Sequence, residues 1–104
     1  MPYKLRLSPS ADATLKALES GDPNDQAKLM KVRRALARLE NSPRHPGLHS
    51  HPYESFPVDG DVKVWDSYVE NRTPSAWRIF WRYGPNEPDS DLPIITVLAI
   101  GPHP

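Results

Sequence analysis

The sequence predicts an α+β domain in which a hairpin of two helices packs on one face of a mainly antiparallel four-stranded sheet. A short alternating segment comes first, two helical patterns follow it, and three segments rich in β-branched and aromatic residues close the chain. An order β-α-α-β-β-β lets a helical hairpin cover one side of the sheet, since helices and sheets each need a partner for their apolar face. The length of 104 residues predicts a single domain, residues 1–104.

The N-terminal half contains one predicted strand and both helices. Residues 3–7 alternate apolar and charged side chains, which is the period of a half-buried strand. Ser8-Pro9 is a typical helix start, because a hydroxyl caps the first turn and proline suits the first helical position. Gly21 marks the end of this helix. Asp22-Pro23 starts the second helix in the same way, and residues 41–43 end it. The very short connection predicts an antiparallel hairpin.

A long loop and three strands make up the rest of the chain. Residues 43–60 are rich in Pro, Gly, His and Ser without periodicity, and a connection of this length is often functional. Residues 62–69 and 76–83 are predicted strands because of their β-branched and aromatic content. Residues 94–100 are nearly all apolar, as in a central strand. We expect all three tryptophans in the core: Trp65, Trp77 and Trp81.

Composition and charge narrow the class of protein. The chain has no cysteine, which excludes disulfides and thiolate zinc sites. No apolar run is long enough for a signal peptide or a membrane span, so we expect a cytoplasmic protein. The formal net charge is zero, which argues against a strong non-specific nucleic-acid binder.

The charges are nevertheless segregated along the chain. Residues 1–52 carry nine Lys/Arg and five Asp/Glu, whereas residues 53–104 carry four and eight. Most of the positive excess lies on the second helix, in a basic stripe formed by Lys28, Lys31, Arg34 and Arg38. Such a stripe is either a solvated helix face or a surface that attracts phosphate or an acidic partner.

Period 2 in the segment 76–83 places Arg78, Phe80 and Arg82 on the face away from the helices. Two arginines around a phenylalanine indicate phosphate contact with base stacking. The alternative is that an arginine pairs with an acid on a neighbouring strand, and Asp66 and Glu70 are the candidates.

The histidines offer a second candidate site. Three of the four lie in residues 45–51, at His45, His49 and His51, and an extended segment would point the last two the same way. A metal site is one interpretation, but zinc usually requires cysteines or a paired helical motif, so we predict no metal and no cofactor. The fourth, His103, is held between two prolines after the last strand. Its imidazole suits proton transfer, unless it is only a solvent-exposed tail residue.

Together these segments resemble the RelE/ParE superfamily of small bacterial toxins. The resemblance rests on the element order, on LENSPRHPGLHSHPY, on the pair KVWDSYVEN and AWRIFWRYG, and on the final ITVLAIGPHP. It implies the toxin half of a type II toxin–antitoxin pair, with an antitoxin protein as partner and a homodimer or a toxin–antitoxin hetero-oligomer as assembly. RelE-like members cleave mRNA at the ribosome, whereas ParE members poison DNA gyrase. We expect the RelE-like activity, and the alternative is a non-catalytic toxin-fold protein that only binds a partner.

The resemblance also implies roles for individual residues. The RelE-like reaction needs no metal: a ribose 2′-hydroxyl attacks the adjacent phosphate, so the site must move two protons and stabilise extra phosphate charge. Arg78 matches the arginine of the family's YRxxY-like segment, written WRIFW here, and His103 falls where some members carry a general acid. His49 and His51 lie where relatives often have basic residues that face the RNA. These four are the predicted catalytic residues.

Other side chains complete the expected site. The predicted RNA-binding residues are Arg82, Lys63, Arg44 and Phe80. Glu70 and Glu54 are the nearest candidates for a carboxylate base. The chain departs from its apparent relatives in charge, because many of them are strongly basic and this chain has a pI near 6.9.

Overall fold

The computed structural model describes residues 2–58 and 60–102 of the chain. It contains two α-helices, α1 (Pro9–Glu19) and α2 (Pro23–Asn41), and a single 3₁₀ turn at Pro46–Leu48. Five strands accompany them: β1 (Lys4–Leu7), β2 (His51–Pro52), β3 (Trp65–Tyr68), β4 (Trp77–Tyr83) and β5 (Ile94–Pro102). None of the helices in these ranges is both long enough and apolar enough to cross a membrane.

The five strands form one mixed sheet in the order β1-β5-β4-β3-β2. Strand β1 pairs with β5 in parallel, and the other three pairings are antiparallel. The α+β class is confirmed, but the predicted count of four strands is wrong. The fifth strand, β2, lies within the loop and is too short to show a period. Its Pro52 has no N–H to donate, which suits its place at the sheet edge.

The helical hairpin packs on one face of this sheet and forms the core there. Trp81 is fully buried, and Trp65 and Trp77 pack against the same cluster with part of each ring exposed. The helices contribute Ala11, Leu18, Leu29, Val32, Ala35 and Leu39 to the core, and the sheet contributes Ile79, Trp81, Ile95, Val97 and Ile100. The opposite face of β3 and β4 is left for other contacts.

A β-bulge ties helix α1 to the centre of the sheet. The pairing of β4 with β5 skips Leu98, because Phe80 opposes Ala99 and Trp81 opposes Val97. The Leu98 carbonyl instead accepts a hydrogen bond from the Ser8 hydroxyl at 2.7 Å. The same hydroxyl oxygen accepts the Ala11 N–H at 3.1 Å and so caps α1. The bulge thus anchors the first turn of the helix.

Candidate active site

A buried carboxylate organises the face of the sheet away from the helices. Asp66 on β3 is 0% exposed, and its two carboxylate oxygens each lie 3.4 Å from Nη1 of Arg78 on the neighbouring strand β4. Charge-assisted hydrogen bonds are usually shorter, about 2.7–2.9 Å. The Arg78 Nε is buried and has no hydrogen-bond partner within the described part of the chain. The guanidinium is therefore held by a single nitrogen, and its bonding capacity is only partly used.

His51 on β2 completes a row of three charged or titratable groups. It opposes Asp66 in the strand register, and its Nε2 lies 3.5 Å from the Asp66 carboxylate. The Nδ1 lies 2.7 Å from the carbonyl oxygen of His49, which can only accept, so Nδ1 carries the proton of that bond. With 44% of its side chain exposed, His51 is the most accessible member of the row. With Nδ1 engaged by the His49 carbonyl, Nε2 is the nitrogen left to exchange a proton with a bound molecule, and it lies beside the Asp66 carboxylate.

Tyr68 connects this row to the rest of the histidine loop, residues 45–51. The Cζ of Arg78 lies 3.8 Å from the centre of the Tyr68 ring, and the His49 ring lies 4.8 Å from it. Stacking of a guanidinium on an aromatic face stabilises the cation and restricts its orientation. His49 has the left-handed backbone conformation, with φ of 48°. This uncommon geometry for a residue other than glycine allows its ring to contact Tyr68 directly after the 3₁₀ turn.

Hydrogen bonds between the loop and the sheet fix the position of the histidines. The Ser50 hydroxyl contacts the Ser67 hydroxyl at 2.7 Å and donates to the Pro43 carbonyl at 2.8 Å. Ser67 is fully buried and accepts the Trp81 indole N–H at 2.7 Å. The loop residue between His49 and His51 is thus bonded to the core, which holds both imidazoles over Tyr68 and Asp66.

Of the two candidate carboxylate bases, Glu70 is already engaged elsewhere. It accepts hydrogen bonds from Lys28 Nζ at 2.6 Å, from Lys31 Nζ at 3.2 Å and from the Trp77 N–H at 3.2 Å. Burial alone would raise the pKa of Glu70, but these donors outweigh it and hold the pKa below its ordinary value. Such a carboxylate is a poor proton acceptor. Glu54 is exposed in the loop after β2.

Phe80 does not present a bare ring on the open face, as the sequence led us to expect. It is 4% exposed, and the rings of Tyr53 and Phe56 lie 5.3 Å and 5.4 Å from its own. The loop after β2 folds back over the sheet and covers it. Sequence period alone cannot show this, because the covering residues belong to an aperiodic segment.

The remaining predicted RNA-binding residues lie outside the row of Arg78, Asp66 and His51. Lys63 stacks over Trp65 at 4.7 Å, and it lines a surface hollow together with Arg82. Arg82 lies four positions after Arg78, which corresponds to about 13 Å along a strand. Arg44 is exposed in the loop and lines a different hollow beside His45 and His49.

His103, one of the four predicted catalytic residues, lies outside the described residues. Of the other histidines, His45 accepts the Gly47 N–H at Nδ1. Within residues 2–58 and 60–102, no three His, Asp or Glu side chains converge as metal ligands would. The structure therefore groups Arg78, His51 and His49, and adds Asp66 and Tyr68.

The sequence patterns indicate Asp66 only as a possible partner for an arginine and do not single out Tyr68. The signal was present, because period 2 in β3 places both on the face that carries Arg78. The sequence does not reveal the strand register, which places Tyr68 opposite Arg78 and His51 opposite Asp66.

Fold and site together define a small α+β protein with a cationic, histidine-bearing site on the open face of a mixed sheet. Sequence comparison finds no protein-family profile and no curated protein that match the chain. Among solved structures, the chain is similar to the YoeB dimer from Staphylococcus aureus, with a TM-score of 0.64 over 100% of both chains and 11% sequence identity. At this identity the similarity establishes the fold alone, which is that of YoeB.

Proposed function

We propose that this protein is the RelE-like toxin of a type II toxin–antitoxin pair and that it cleaves ribosome-bound mRNA without a metal. The observation that carries the proposal is the buried Asp66, which is shared by a partly bonded arginine and an accessible histidine. The YoeB-like fold over the whole chain supports the same class of protein. A cognate antitoxin is the expected partner, and the YoeB structure shows that this fold can form a dimer.

The chemistry assigns a separate task to each side chain. The ribose 2′-oxygen forms a bond to phosphorus and the bond from phosphorus to the 5′-oxygen breaks, so one proton leaves the 2′-hydroxyl and one reaches the leaving oxygen. His51 accepts the first proton, and the charge that it gains lies next to Asp66. Arg78 donates to the phosphate oxygens with the N–H groups of Nη1 and Nη2 that Asp66 leaves unused, since its Nε is buried. His103 is the proposed donor to the leaving oxygen.

Induced expression in a bacterial host tests the proposal. We expect wild-type protein to arrest growth and to cleave mRNA on purified ribosomes, and Arg78→Ala to lower the cleavage rate about 100-fold or more, as loss of a transition-state donor does. Arg78→Lys keeps the charge but not the paired donors, so it should also be strongly impaired. Arg33→Ala, an exposed arginine on α2, is the matched control with full activity.

Several outcomes would contradict the proposal. The clearest is harmless induction of soluble, folded wild-type protein without cleavage of ribosome-bound mRNA. Normal activity of a folded Arg78→Ala variant would contradict the assigned site. Circular dichroism of each variant separates loss of chemistry from loss of fold.

A second candidate function is a non-catalytic toxin-fold protein that binds an antitoxin-like partner. It is favoured by the Arg78 side chain, which is only 15% exposed and already faces a carboxylate. In that case the wild-type protein binds the product of a neighbouring small gene, causes no growth arrest, and keeps its binding when Arg78 is replaced. The presence of such a gene without toxicity would select this function.

A further inference from the structure

A small cationic cavity lies beside the candidate active site, between helix α2 and the histidine loop. Its volume is about 130 Å³, well below the roughly 300–1,000 Å³ of pockets for drug-sized ligands. This volume suits a small anion. Three of its lining side chains belong to the basic stripe, Lys31, Arg34 and Arg38. His49, Tyr68 and Glu70 line the other side.

The charges in this cavity are not balanced from within the described chain. Glu70 is the only carboxylate among the lining residues, and it is bonded to both Lys28 and Lys31. Arg34 and Arg38 have no ion pair or side-chain hydrogen bond to any residue in 2–58 or 60–102. Like charges spaced three and four residues apart on a helix destabilise it. The chain thus carries an unfavourable cluster of guanidinium groups at one place.

The guanidinium group of Arg38 lies against the loop at Gly47. A Cβ atom added to Gly47 would lie 2.8 Å from Nη1 of Arg38 and 3.1 Å from Nδ1 of His45. Glycine at this position lets the Arg38 head group lie against the loop backbone. The Arg38 guanidinium therefore lies at the cavity wall, next to the loop.

We infer that this cavity binds a phosphate group of the RNA strand, next to the phosphate that Arg78 contacts. The choice of RNA rests on the proposed function, whereas the binding of an anion rests on the cavity alone. Tyr68 lies between the two positions, because it stacks on Arg78 and also lines the cavity with His49. A single strand that crosses Tyr68 can place consecutive phosphates at both. An acidic peptide bound in the cavity would not need a contact with Arg78, whereas an RNA strand places its next phosphate there.

The test measures binding of a short RNA oligonucleotide with 2′-O-methyl riboses, which block cleavage, by fluorescence anisotropy. We expect the double variant Arg34→Gln/Arg38→Gln to weaken binding about tenfold. The negative slope of log K against log salt should become shallower by about 0.7, the value for one phosphate on a single strand. Gly47→Ala displaces the Arg38 head group without removing a charge, and we expect a smaller loss. Arg33→Gln on the same helix lies outside the cavity and should bind like wild type.

The outcomes separate this inference from the proposed function. RNA binding that depends on Arg34 and Arg38, in a protein that cleaves nothing, supports the phosphate site and contradicts the nuclease. Active cleavage with equal RNA affinity in the double variant and in Arg33→Gln contradicts the phosphate site and leaves the nuclease standing. Tighter binding of a deca-glutamate peptide than of the oligonucleotide, lost in the double variant, would overturn RNA in favour of an acidic protein partner.

Discussion

At the scale of single residues, the site depends on one buried charge. Asp66 has no exposure and lies between Arg78 and His51. A buried carboxylate is stable only when cations or donors surround it, and the same holds for the largely buried guanidinium of Arg78. The two residues therefore depend on each other for stability as well as for chemistry.

Replacement of Asp66 by alanine should destabilise the protein strongly. The change leaves the mostly buried Arg78 charge without its carboxylate, and we expect a loss of about 3 kcal/mol in the free energy of unfolding. Urea denaturation followed by tryptophan fluorescence measures it. The double variant Asp66→Leu/Arg78→Met removes both charges and should recover at least half of the loss. An Asp66→Ala variant whose free energy of unfolding lies within about 0.5 kcal/mol of the wild-type value would show that the buried Arg78 charge does not depend on Asp66.

At the scale of elements, helix α2 is joined to the sheet by Glu70 as well as by its apolar face. Glu70 lies in the connection from β3 to β4 and receives hydrogen bonds from two lysines of α2 and from the Trp77 N–H at the start of β4. Lys28 also lies 4.9 Å over the Trp77 ring. One carboxylate thus fixes the place where the helix, the turn and the strand meet.

The lowered pKa of Glu70 predicts a pH dependence of stability. The folded pKa lies below the ordinary value of 4.5, so the contribution of the ionised group is complete above pH 4.5 and is lost as pH falls through the folded value. We expect Glu70→Gln to cost about 1–2 kcal/mol at pH 7. This difference should shrink below pH 4.5, as measured by urea denaturation at several pH values.

Glu19→Gln is the matched control for this experiment. Within the described residues, the Glu19 side chain forms only an exposed pair with Arg33 at 3.7 Å, and such pairs contribute little. A gap between wild type and Glu70→Gln that stays constant from pH 7 to pH 3 would contradict the role of the ionised carboxylate.

Over the whole molecule, the positive and negative charges are separated along the chain and give no overall positive charge. The formal net charge is zero, and the acids of the C-terminal half offset cations of the N-terminal half by direct pairing. Glu87 pairs with Lys4 and Arg6 on β1, and Glu70 pairs with the start of the basic stripe. Of the cations without an ion pair in residues 2–58 and 60–102, Arg34 and Arg38 line the cavity beside Tyr68, whereas Lys63 and Arg82 line a separate hollow.

This distribution predicts a weak salt dependence of RNA binding. Contacts to two phosphates give a slope of about −1.4 in log K against log salt, since each phosphate of a single strand contributes about −0.7. Anisotropy titrations of the 2′-O-methyl oligonucleotide between low and physiological salt measure it. A slope steeper than about −4 would indicate a broad basic surface and contradict the local site.

Local sequence patterns were sufficient to predict both helices, four of the five strands and most of the core. The caps at Ser8 and Asp22, the period of the helices and the alternation in β4 each act over a few neighbouring residues, so they are visible without a structure. The helix face, the burial of Trp81 and the position of Arg78 on the open face followed from them. The same local rules could not reveal β2, since two residues contain no period.

The assembly of the site depends on contacts between strands and loops that local patterns do not specify. The register of β2, β3 and β4 sets His51 beside Asp66 and Arg78 beside Tyr68. The fold of the loop after β2 covers Phe80, and the approach of α2 to the histidine loop forms the cationic cavity. These are contacts between segments distant in sequence, whose geometry depends on the packing of the whole chain, and no local pattern specifies such packing.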